Sequence, residues 1–385
     1  MDTNEDSGRK GRKMGTIANQ EVMDKIAVNF RTEGEITELI PFGNGYINDT
    51  FRITCELPDG KEKKYILQKM NVSIFKNPGE LMENVMNVTS FLRKKIIEAG
   101  GDPDRETLNV IQTKDGGNYL EVDGEYWRMY IFIEGASSYD EVKTPEDFYK
   151  TALAFGNFQK MLGDYPAETL HETIVNFHNT VSRFADFKKA VEEDVCGRAK
   201  EVQEEIKFIF DREDVAHIIC DALEEKRIPL RVTHNDTKLN NIMIDDETGK
   251  GLCVIDLDTV MPGSALYDFG DSIRFGASTG AEDEVNLDLV SVDLELFEAY
   301  AKGFLEGCGG SLTDEEVRLF PAGAKVITFE QGMRFLTDYL QGDTYYKTSR
   351  PGHNLDRART QLKLVADMED KWEEMEKIVE KYSAK

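Results

Sequence analysis

The chain has 385 residues, of which 40% are hydrophobic and 31% charged, and its net charge is −26. This composition predicts a globular protein long enough for two lobes, and the excess of acid disfavours nucleic acid and anionic membranes as partners. Because the five cysteines form no paired motif and the polar N-terminus has no apolar leader, we expect a cytoplasmic protein with reduced thiols and no membrane partner.

The first third of the chain reads as a polar tail followed by a β-rich region. Residues 1–14 are almost devoid of apolar side chains and predict a disordered tail, and the sequence leaves open whether Met1 or Met14 is the natural start. Helical spacing predicts helices over Asn19–Phe30 and Pro78–Ala99. Alternating apolar residues and turn residues predict strands over Glu35–Pro41, Phe51–Glu56, Lys64–Met70, Tyr119–Val122 and Tyr126–Ile133.

The rest of the chain is expected to be mainly helical after a hinge near residues 134–138. Phe148–Leu162 has apolar residues at helical spacing, whereas Ile174–His178 and Arg183–Phe187 suggest a connecting segment. Near the C-terminus, apolar residues recur at spacings of three and four on one charged helix, and we favour packing on the protein body over a dimer contact. That seam consists of Val365, Met368, Trp372, Met375, Val379 and Tyr382.

Two glycines, Gly43 and Gly45, lie between the first two predicted strands, where a kinase places the loop that covers the nucleotide phosphates. An ordinary hairpin turn would use the same residues. On the third strand a kinase normally carries a lysine for the phosphates, but here Gln68 and Lys69 point to opposite faces. The register of this strand stays open, and so does a pairing of Lys69 with Glu83 on the following helix.

The strongest motif is the run from His234 to Asn241, which reproduces the H-x-D-x-x-x-x-N spacing of a kinase catalytic loop. In such a loop Asp236 would accept the proton of an attacking hydroxyl, and Asn241 would bind Mg²⁺. Asp256 or Asp258, at the end of a predicted hairpin, would supply the second metal ligand. A structural turn ending at Asn241 is the alternative, but the flanking strands favour the catalytic interpretation.

With these motifs, the chain resembles the aminoglycoside/choline kinase superfamily, and within it most closely the N-acetylhexosamine 1-kinases, over residues 18–368. The likeness is carried by residues 42–48, 65–68, 233–241, 255–264, 267–278 and 332–336. The resemblance implies an α+β, bilobal protein-kinase-like fold with a small β-rich N-lobe (15–134) and a larger, mainly helical C-lobe (135–385). It also implies ATP and Mg²⁺ as cofactors and phosphorylation of the anomeric hydroxyl of GlcNAc or GalNAc.

The same resemblance implies roles for individual residues. Asp236 would be the base, with Asn241 and Asp256 binding the metal. Residues expected to bind the nucleotide are Gly43, Gly45, Asn48, Gln68, Tyr130, Phe132, Ile133 and Lys238. Residues expected to line the sugar pocket are Tyr46, Asp236, Thr259, Phe275, Arg334 and Tyr345. Tyr46 departs from the histidine of the family, and glutamine is accepted by the family at the position of Gln68.

Three questions stay open from the sequence. Arg334 lies among apolar residues on a predicted helix, and Asp268, Asp271 and Asp338 are its expected partners if it forms a buried ion pair. The acceptor could be another small-molecule alcohol, such as an aminoglycoside or an amino alcohol. A monomer is expected, with a dimer as the alternative.

Overall fold

The computed structural model describes residues 21–22, 25–43, 48–139 and 142–383. Its packing divides the chain into two compact units, residues 1–134 and 135–385. The first unit is rich in strands and the second is mainly helical.

The first unit is built on one antiparallel sheet. Its strands are antiparallel throughout and follow the order β1-β2-β3-β6-β4, and β5 also pairs with β6. They span Glu35–Pro41 (β1), Asp49–Glu56 (β2), Glu62–Lys69 (β3), Val110–Ile111 (β4), Leu120–Val122 (β5) and Glu125–Ile131 (β6). Their alternating side chains bury Ile53, Tyr65, Leu67 and Met129 in one apolar cluster, as a half-buried sheet requires.

The long helix of the first unit is Pro78–Glu98 (α1). Asn77 starts it, because its side chain accepts the backbone N–H of Glu80 at 3.3 Å, and Pro78 fits the first turn, where no N–H partner is needed. The helix buries an apolar stripe that includes Leu81, Val85 and Leu92.

The prediction of a helix over Asn19–Phe30 is wrong at its C-terminal end. Among the described residues the segment closes in a 3-10 turn, Ala27–Asn29, and Phe30 forms an extended bridge with Thr113. The side chain of Asn29 donates to the carbonyls of Lys25 (2.6 Å) and Ile26 (3.4 Å), and such side-chain bonds compete with helix continuation. The start of the predicted helix lies outside the described residues.

The second unit contains short strands and ten helices among the residues that the structure describes. The strands are Ala136–Ser137 (β7), Arg231–Thr233 (β8), Ile242–Asp245 (β9), Gly251–Val254 (β10) and Met261–Gly263 (β11), paired in the order β10-β9-β7 and as β8 with β11. The helices are Pro145–Met161 (α2), Thr180–Glu193 (α3), Gln203–Phe210 (α4), Glu213–Glu224 (α5), Ala265–Gly276 (α6), Leu294–Cys308 (α7), Asp314–Arg318 (α8), Phe320–Leu340 (α9), His353–Asp370 (α10) and Trp372–Ser383 (α11).

Glycines allow α2 and α7 to approach closely. A Cβ at Gly307 would collide with the carbonyl oxygen of Leu153, and one at Gly156 would collide with that of Phe304. Backbone contact at this distance leaves no room for a side chain, so both glycines are required by packing.

Two helical assignments differ from the expectation from sequence. Arg183–Phe187 belongs to α3, which begins because the side chain of Asn179 accepts the N–H of Ser182 at 3.0 Å, and it buries Phe184 and Phe187 on one face. The C-terminal seam is divided between α10 and α11, which meet at Lys371. Met368 and Met375 are nevertheless both buried, so the favoured packing on the protein body is confirmed. In the described part of the chain, none of the helices combines the length and apolarity needed to cross a membrane.

Candidate active site

The predicted catalytic loop, residues 234–241, connects two small sheets in the second unit. It follows β8, which pairs with β11, and it leads into the β9–β10 hairpin. The N–H of Ile255 donates to the carbonyl of Asn241 at 2.9 Å, which places Asn241 and Asp256 at the same end of this hairpin. The strand pairing therefore brings two residues that are 15 positions apart in sequence to neighbouring places.

Asp236 lies at the centre of this loop and is partly exposed. Its Oδ1 accepts an ion pair from Nζ of Lys238 at 2.7 Å, and its Oδ2 accepts a bond from Nδ2 of Asn241 at 3.2 Å. Burial opposes the charge of Lys238, but the attraction of Asp236 and Asp271 is larger and holds the pKa of this lysine above its ordinary value. The ammonium of Lys238 therefore remains charged beside Asp236 near neutral pH.

His234 supports the loop from within the protein. Its ring is fully buried, packs edge-on against Phe155 and Phe158, and contacts the carbonyl of Ile255 through Nε2 at 2.9 Å. Its Nδ1 accepts the backbone N–H of Asp236 at 3.3 Å. Because one nitrogen accepts and the other faces a carbonyl, these contacts assign the ring proton to Nε2, and the imidazole fixes backbone without reaching a substrate.

Thr259 and Asn235 tie the catalytic loop to the turn after Asp256. The hydroxyl of Thr259 donates to the carbonyl of His234 at 2.7 Å, and Nδ2 of Asn235 donates to the carbonyl of Thr259 at 2.8 Å. Asn235 has a left-handed backbone (φ 64°), a conformation that asparagine tolerates better than most residues.

Two buried carboxylates on α6 hold the backbone of the loop. Asp268 accepts the N–H groups of His234 (3.0 Å) and Asn235 (2.8 Å), and it also accepts Nε2 of Gln159 (2.7 Å). Burial dominates here and raises the pKa of Asp268 despite these bonds.

Asp271, one turn further along α6, accepts the N–H of Thr237 at 3.0 Å and pairs with the guanidinium of Arg274 at 3.0 Å. Burial alone would raise its pKa, but Arg274 and Lys238 outweigh burial and lower it. Asp271 therefore supports the loop as a charged group.

The residues at the end of the β9–β10 hairpin suit a magnesium ion. Asn241 donates its amide nitrogen to Asp236, so the side-chain atom it can offer to a cation is the oxygen. Asp256 is half-buried and left-handed (φ 58°), whereas Asp258 is only 4% exposed. One amide oxygen and one accessible carboxylate form the type of oxygen donor set that Mg²⁺ accepts, with water and phosphate completing the shell.

In the first unit, the residues predicted to bind the nucleotide lie on or beside β2, β3 and β6. Gly43 has a left-handed φ of 75°, and the side chain of Asn48 accepts the N–H of Asn71 at 3.0 Å. Phe42, just before the glycines, contacts Phe132 edge to face at 5.6 Å. Tyr130 and Ile133 are buried next to Phe132 in the chain. Gly45 and Tyr46 lie outside the described residues.

The open register of the third strand is now defined. Lys69 forms an ion pair with Glu125, and its ammonium lies 6.0 Å from the ring of Trp127, on the face of the sheet that carries the apolar cluster. Gln68 lies on the other face and pairs across the strands with Arg128, whose Nε and Nη2 both donate to Oε1 of Gln68 at 3.1 and 2.9 Å.

Arg334 and Tyr345, two of the predicted sugar contacts, lie together in the second unit. The guanidinium of Arg334 is 6.0 Å from the ring of Tyr345 and 5.8 Å from that of Tyr346. Phe177 lies on another side, with its ring centroid 5.5 Å from the guanidinium. This gives a half-buried cation surrounded by aromatic rings, and Tyr345 is 63% exposed at its edge.

The expected acidic partners of Arg334 are wrong. Its carboxylate neighbour is Glu330 at 4.0 Å, one turn earlier on the same face of α9. Glu330 is itself bonded to His178 (2.9 Å) and Thr180 (2.7 Å), and although burial opposes its charge, His178 lowers its pKa.

Asp338, which was expected to pair with Arg334, instead organises the segment that carries Tyr345. Its carboxylate accepts the successive backbone N–H groups of Thr344 (2.8 Å), Tyr345 (2.8 Å) and Tyr346 (3.0 Å). Nδ2 of Asn354 adds a fourth bond at 2.8 Å. A buried carboxylate surrounded by backbone donors fixes this turn tightly.

Phe275 lies near the end of α6 and is 41% exposed, with the guanidinium of Arg274 at 6.0 Å from its ring. Thr259 and Phe275 lie on either side of Asp268 and Asp271, the two acids that hold the catalytic loop. The structure does not place either of them in contact with a substrate, and their predicted roles stay predictions.

Comparison with known proteins identifies the family. Residues 38–303, about two thirds of the chain, match the model of the phosphotransferase enzyme family APH. The chain belongs to this phosphotransferase family. The matched region includes nearly all of the sheet of the first unit, the catalytic loop and helix α6. It therefore contains Asp236 and the residues that hold its loop.

The phosphotransferase has the fold of solved kinases of small molecules. An aminoglycoside phosphotransferase from Alicyclobacillus acidocaldarius aligns with a TM-score of 0.57 at 12% identity, covering 93% of this chain and 96% of that one. An amicoumacin kinase in complex with AMP-PNP and Ca²⁺ aligns with 0.56 at 11% (94% and 96%), and a Plasmodium vivax ethanolamine kinase with 0.54 at 14% (94% and 95%). These similarities confirm the predicted α+β, protein-kinase-like fold.

Several residues that support the catalytic loop were not assigned from the sequence. Gln159 received no role, and Asp268 and Asp271 were assigned to the wrong partner. In the first unit, Arg128, which bonds to Gln68, also received no role. Asp268 and Asp271 lie on a helix whose residues from Ala265 to Arg274 are all buried. Buried acids are rare unless they are bonded, so two acids at this spacing among apolar residues were an available indication of a supporting role.

Proposed function

We propose that this phosphotransferase transfers the γ-phosphoryl group of ATP to the anomeric hydroxyl of an N-acetylhexosamine, giving the sugar 1-phosphate. The observation that carries the proposal is the arrangement of Asp236 between Lys238 (2.7 Å) and Asn241 (3.2 Å), next to the end of the hairpin that carries Asp256. It combines a base, a cation and two metal-ligand candidates within one supported loop.

The residues of the loop account for the chemistry as follows. The carboxylate of Asp236 takes the proton of the acceptor hydroxyl while the acceptor oxygen forms its bond to the γ-phosphorus. The bond between that phosphorus and the bridging oxygen breaks, and ADP leaves with the electron pair. An anomeric hydroxyl is more acidic than other sugar hydroxyls, so a carboxylate is a sufficient base, and most of the acceleration comes from positioning and charge.

Lys238, Asn241 and Asp256 would bind the charged part of the nucleotide. We propose that the ammonium of Lys238 moves from Asp236 to the phosphate oxygens when nucleotide binds, which would release one oxygen of the base. Asn241 and Asp256 would hold Mg²⁺, which neutralises phosphate charge when it is bound. The binding of AMP-PNP and Ca²⁺ by the amicoumacin kinase supports the use of a nucleotide and a divalent cation by the same fold.

The surroundings of Arg334 favour a neutral sugar over a cationic acceptor. Burial and the proximity of Arg334 lower the pKa of Arg183, so two guanidinium groups lie close together there. An aminoglycoside or an amino alcohol would bring a third positive charge to this place, whereas sugar hydroxyls can accept hydrogen bonds from Arg334. The segment 332–336, which resembles N-acetylhexosamine 1-kinases, contains Arg334.

Phosphorylation of an amino alcohol or an aminoglycoside is the second candidate, since an ethanolamine kinase and an aminoglycoside phosphotransferase share the fold. ADP formation should be measured with GlcNAc, GalNAc, ethanolamine, choline and kanamycin as separate acceptors. We expect acceptor-dependent turnover with the two hexosamines alone. Turnover with a cationic acceptor and not with the hexosamines would replace the proposal by the second candidate.

The matched control for this assay is Asp236→Asn, which keeps the shape of the side chain and removes the base. Its kcat should fall by about 10²–10⁴-fold, the usual contribution of a positioned general base. Turnover by Asp236→Asn equal to that of the wild type would contradict the assignment of the base.

A further inference from the structure

The first unit has a glutamine where kinases of this fold class normally place the phosphate-binding lysine. The nearest lysine on the strand, Lys69, points to the opposite face and pairs with Glu125. A molecule with a net charge of −26 nevertheless needs positive charge close to the nucleotide phosphates. Another group of the first unit therefore has to supply it.

Arg128 is the cation next to Gln68. It stands directly opposite Gln68 on β6, and its side chain is among the largest that are fully buried, with only 1% of the residue exposed. Two of its nitrogens donate to the single amide oxygen of Gln68, at 3.1 and 2.9 Å. The guanidinium also lies 5.2 Å from the ring of Tyr130, which is expected from the sequence to bind the nucleotide.

The two bonds from Arg128 fix the orientation of the Gln68 amide. Because Oε1 is held by the guanidinium, the amino group of Gln68 must point away from Arg128, and it donates to Oγ1 of Thr50 at 3.2 Å. That amino group carries a second hydrogen, which can bond to a phosphate oxygen. A charged donor at the oxygen end polarises the amide and makes its N–H groups more positive.

The amino group of Gln68 is also connected to the end of the glycine-containing segment. Thr50 lies two residues after Asn48 at the start of β2, and its hydroxyl contacts the carbonyl of Asn48 at 3.5 Å. Asn48 is bonded through its side chain to the backbone N–H of Asn71, just after β3. The chain from Arg128 to Gln68 to Thr50 therefore ends where a kinase glycine loop returns to the sheet.

We propose that Arg128 and Gln68 together replace the missing lysine: Arg128 supplies the positive charge from a buried position, and the Gln68 amide presents it to the α- and β-phosphates as hydrogen-bond donors. This inference rests on the proposed use of ATP and adds a positioning residue, Arg128, that acts through Gln68. It does not depend on the identity of the acceptor.

The decisive variant is Gln68→Glu, because it separates a structural role from a phosphate-binding role. A carboxylate has nearly the same shape and keeps both bonds from Arg128 as an ion pair, so the protein should fold with unchanged or higher thermal stability. It replaces the outward N–H donors by an anionic oxygen, however, and this oxygen would repel phosphate. A residue that only holds Arg128 would tolerate the change without an effect on nucleotide affinity.

Binding of Mg·ADP and of adenosine should be measured by calorimetry for the wild type and for Gln68→Glu, without any acceptor. We expect the Kd for Mg·ADP to rise at least about tenfold, the usual effect of losing a hydrogen bond to a charged group, and the Kd for adenosine to stay within about twofold. Equal Kd values of the two proteins for Mg·ADP would overturn the inference. Failure of the wild type to bind Mg·ADP would instead overturn the proposed use of ATP.

A rescue variant tests the charge of Arg128 itself. Arg128→Met should weaken Mg·ADP binding in the same way, and the double variant Gln68→Lys with Arg128→Met should restore it by supplying an ordinary third-strand ammonium. Lys69→Met is the matched control, since it removes a lysine from the same strand on the opposite face, and its Kd should equal that of the wild type. A double variant that folds but binds no better than Arg128→Met alone would contradict the proposed role of the charge.

Discussion

At the scale of single residues, the site is a set of charged groups whose environment decides their state. Asp236 remains accessible between a lysine and an asparagine, whereas Asp268 and Asp271 are buried and accept hydrogen bonds from the backbone of the loop. The proposed base and the acids that hold its loop therefore differ in burial and in bonding partner, and each leads to a distinct prediction.

Arg334→Ala should raise the KM for the hexosamine by about 10–100-fold and change the KM for ATP by less than about threefold, because the lost hydrogen bonds to sugar hydroxyls come from a charged donor. Steady-state kinetics with each substrate varied in turn measures both constants. Arg318→Ala is the control, since that guanidinium is 66% exposed and pairs only at the surface. Equal increases in both KM values would contradict the placement of Arg334 at the acceptor.

Asp271→Asn should lower the stability by about 3 kcal/mol near neutral pH, since it breaks a buried ion pair with Arg274. The pKa of Asp271 is lowered in the folded protein. Its charge therefore contributes fully to the free energy of unfolding above the ordinary pKa of about 3.9, and this contribution is lost as the pH falls below that value. The difference in Tm between Asp271→Asn and the wild type should therefore shrink below about pH 4. Thermal unfolding followed from pH 7 downwards measures it, with Asp186→Asn, an exposed acid, as control. A difference in Tm that stays constant with pH would show that the charge of Asp271 does not matter.

At the scale of elements, the catalytic loop is fixed by pairing and by a helix. The β8–β11 and β9–β10 pairs determine where the loop begins and ends, and α6 bonds to its backbone through Asp268 and Asp271. Helix α6 in turn packs against α7 and α9 through aromatic rings, with Phe269 stacked on Phe320 at 4.1 Å and edge-on to Phe297 at 5.9 Å. Damage to the helical core should therefore reach the loop through α6.

Gly307→Ala tests the close packing of α2 and α7. The added methyl group would meet the carbonyl of Leu153, and because two backbones must separate to admit it, the free energy of unfolding should fall by about 1–3 kcal/mol. Chemical denaturation monitored by circular dichroism measures the change. Gly79→Ala, at the start of α1, meets only ordinary contacts at 3.4 Å or more and should be neutral. If Gly307→Ala were as stable as the wild type, the helices could not be in backbone contact.

How far the sequence predicts the molecule differs between elements and contacts. Five of the six strands of the first unit and the position of the catalytic loop were predicted, because alternation and motif spacing are local properties. The two-residue strand Val110–Ile111 was not predicted, since it is too short to show alternation. The role of Arg128 was not accessible, because it depends on which residue of β6 stands opposite Gln68. The partner of Arg334 was missed for a different reason. Asp268 and Asp271 on α6 accept backbone bonds from the catalytic loop, and Asp338 accepts them from the Thr344–Tyr346 segment, so the carboxylate near Arg334 is Glu330 on the same helix. The break at Lys371 was missed because both helices continue one apolar spacing.

At the scale of the whole molecule, the proposed function requires a chain with a net charge of −26 to bind a highly anionic nucleotide. At long range the negative protein repels the nucleotide, so the affinity would have to come from a few buried or partly buried cations and from a divalent metal. The cations that we propose for this purpose are Lys238, beside Asp236 in the second unit, and Arg128, beside Gln68 in the first unit.

Nucleotide binding should accordingly depend on a divalent metal. With Mg²⁺, AMP-PNP at 100 times its Kd should stabilise the protein by about 2.7 kcal/mol, visible as a rise in Tm, and EDTA should remove most of this rise. Asp256→Asn should lose the metal-dependent part, while Asp258→Asn, at a residue only 4% exposed, should keep it. The opposite pattern in the two variants would assign the metal to Asp258.

The most direct test of the central claim is the position of the transferred phosphate. Wild-type protein, ATP and Mg²⁺ should be incubated with GlcNAc or GalNAc, and the product analysed by ³¹P and ¹H NMR. We predict a phosphate whose phosphorus couples to the anomeric proton, which identifies the 1-phosphate, and no such product with Asp236→Asn. A phosphate coupled to the C6 protons, or no transfer to either sugar while another alcohol is phosphorylated, would contradict the proposed function.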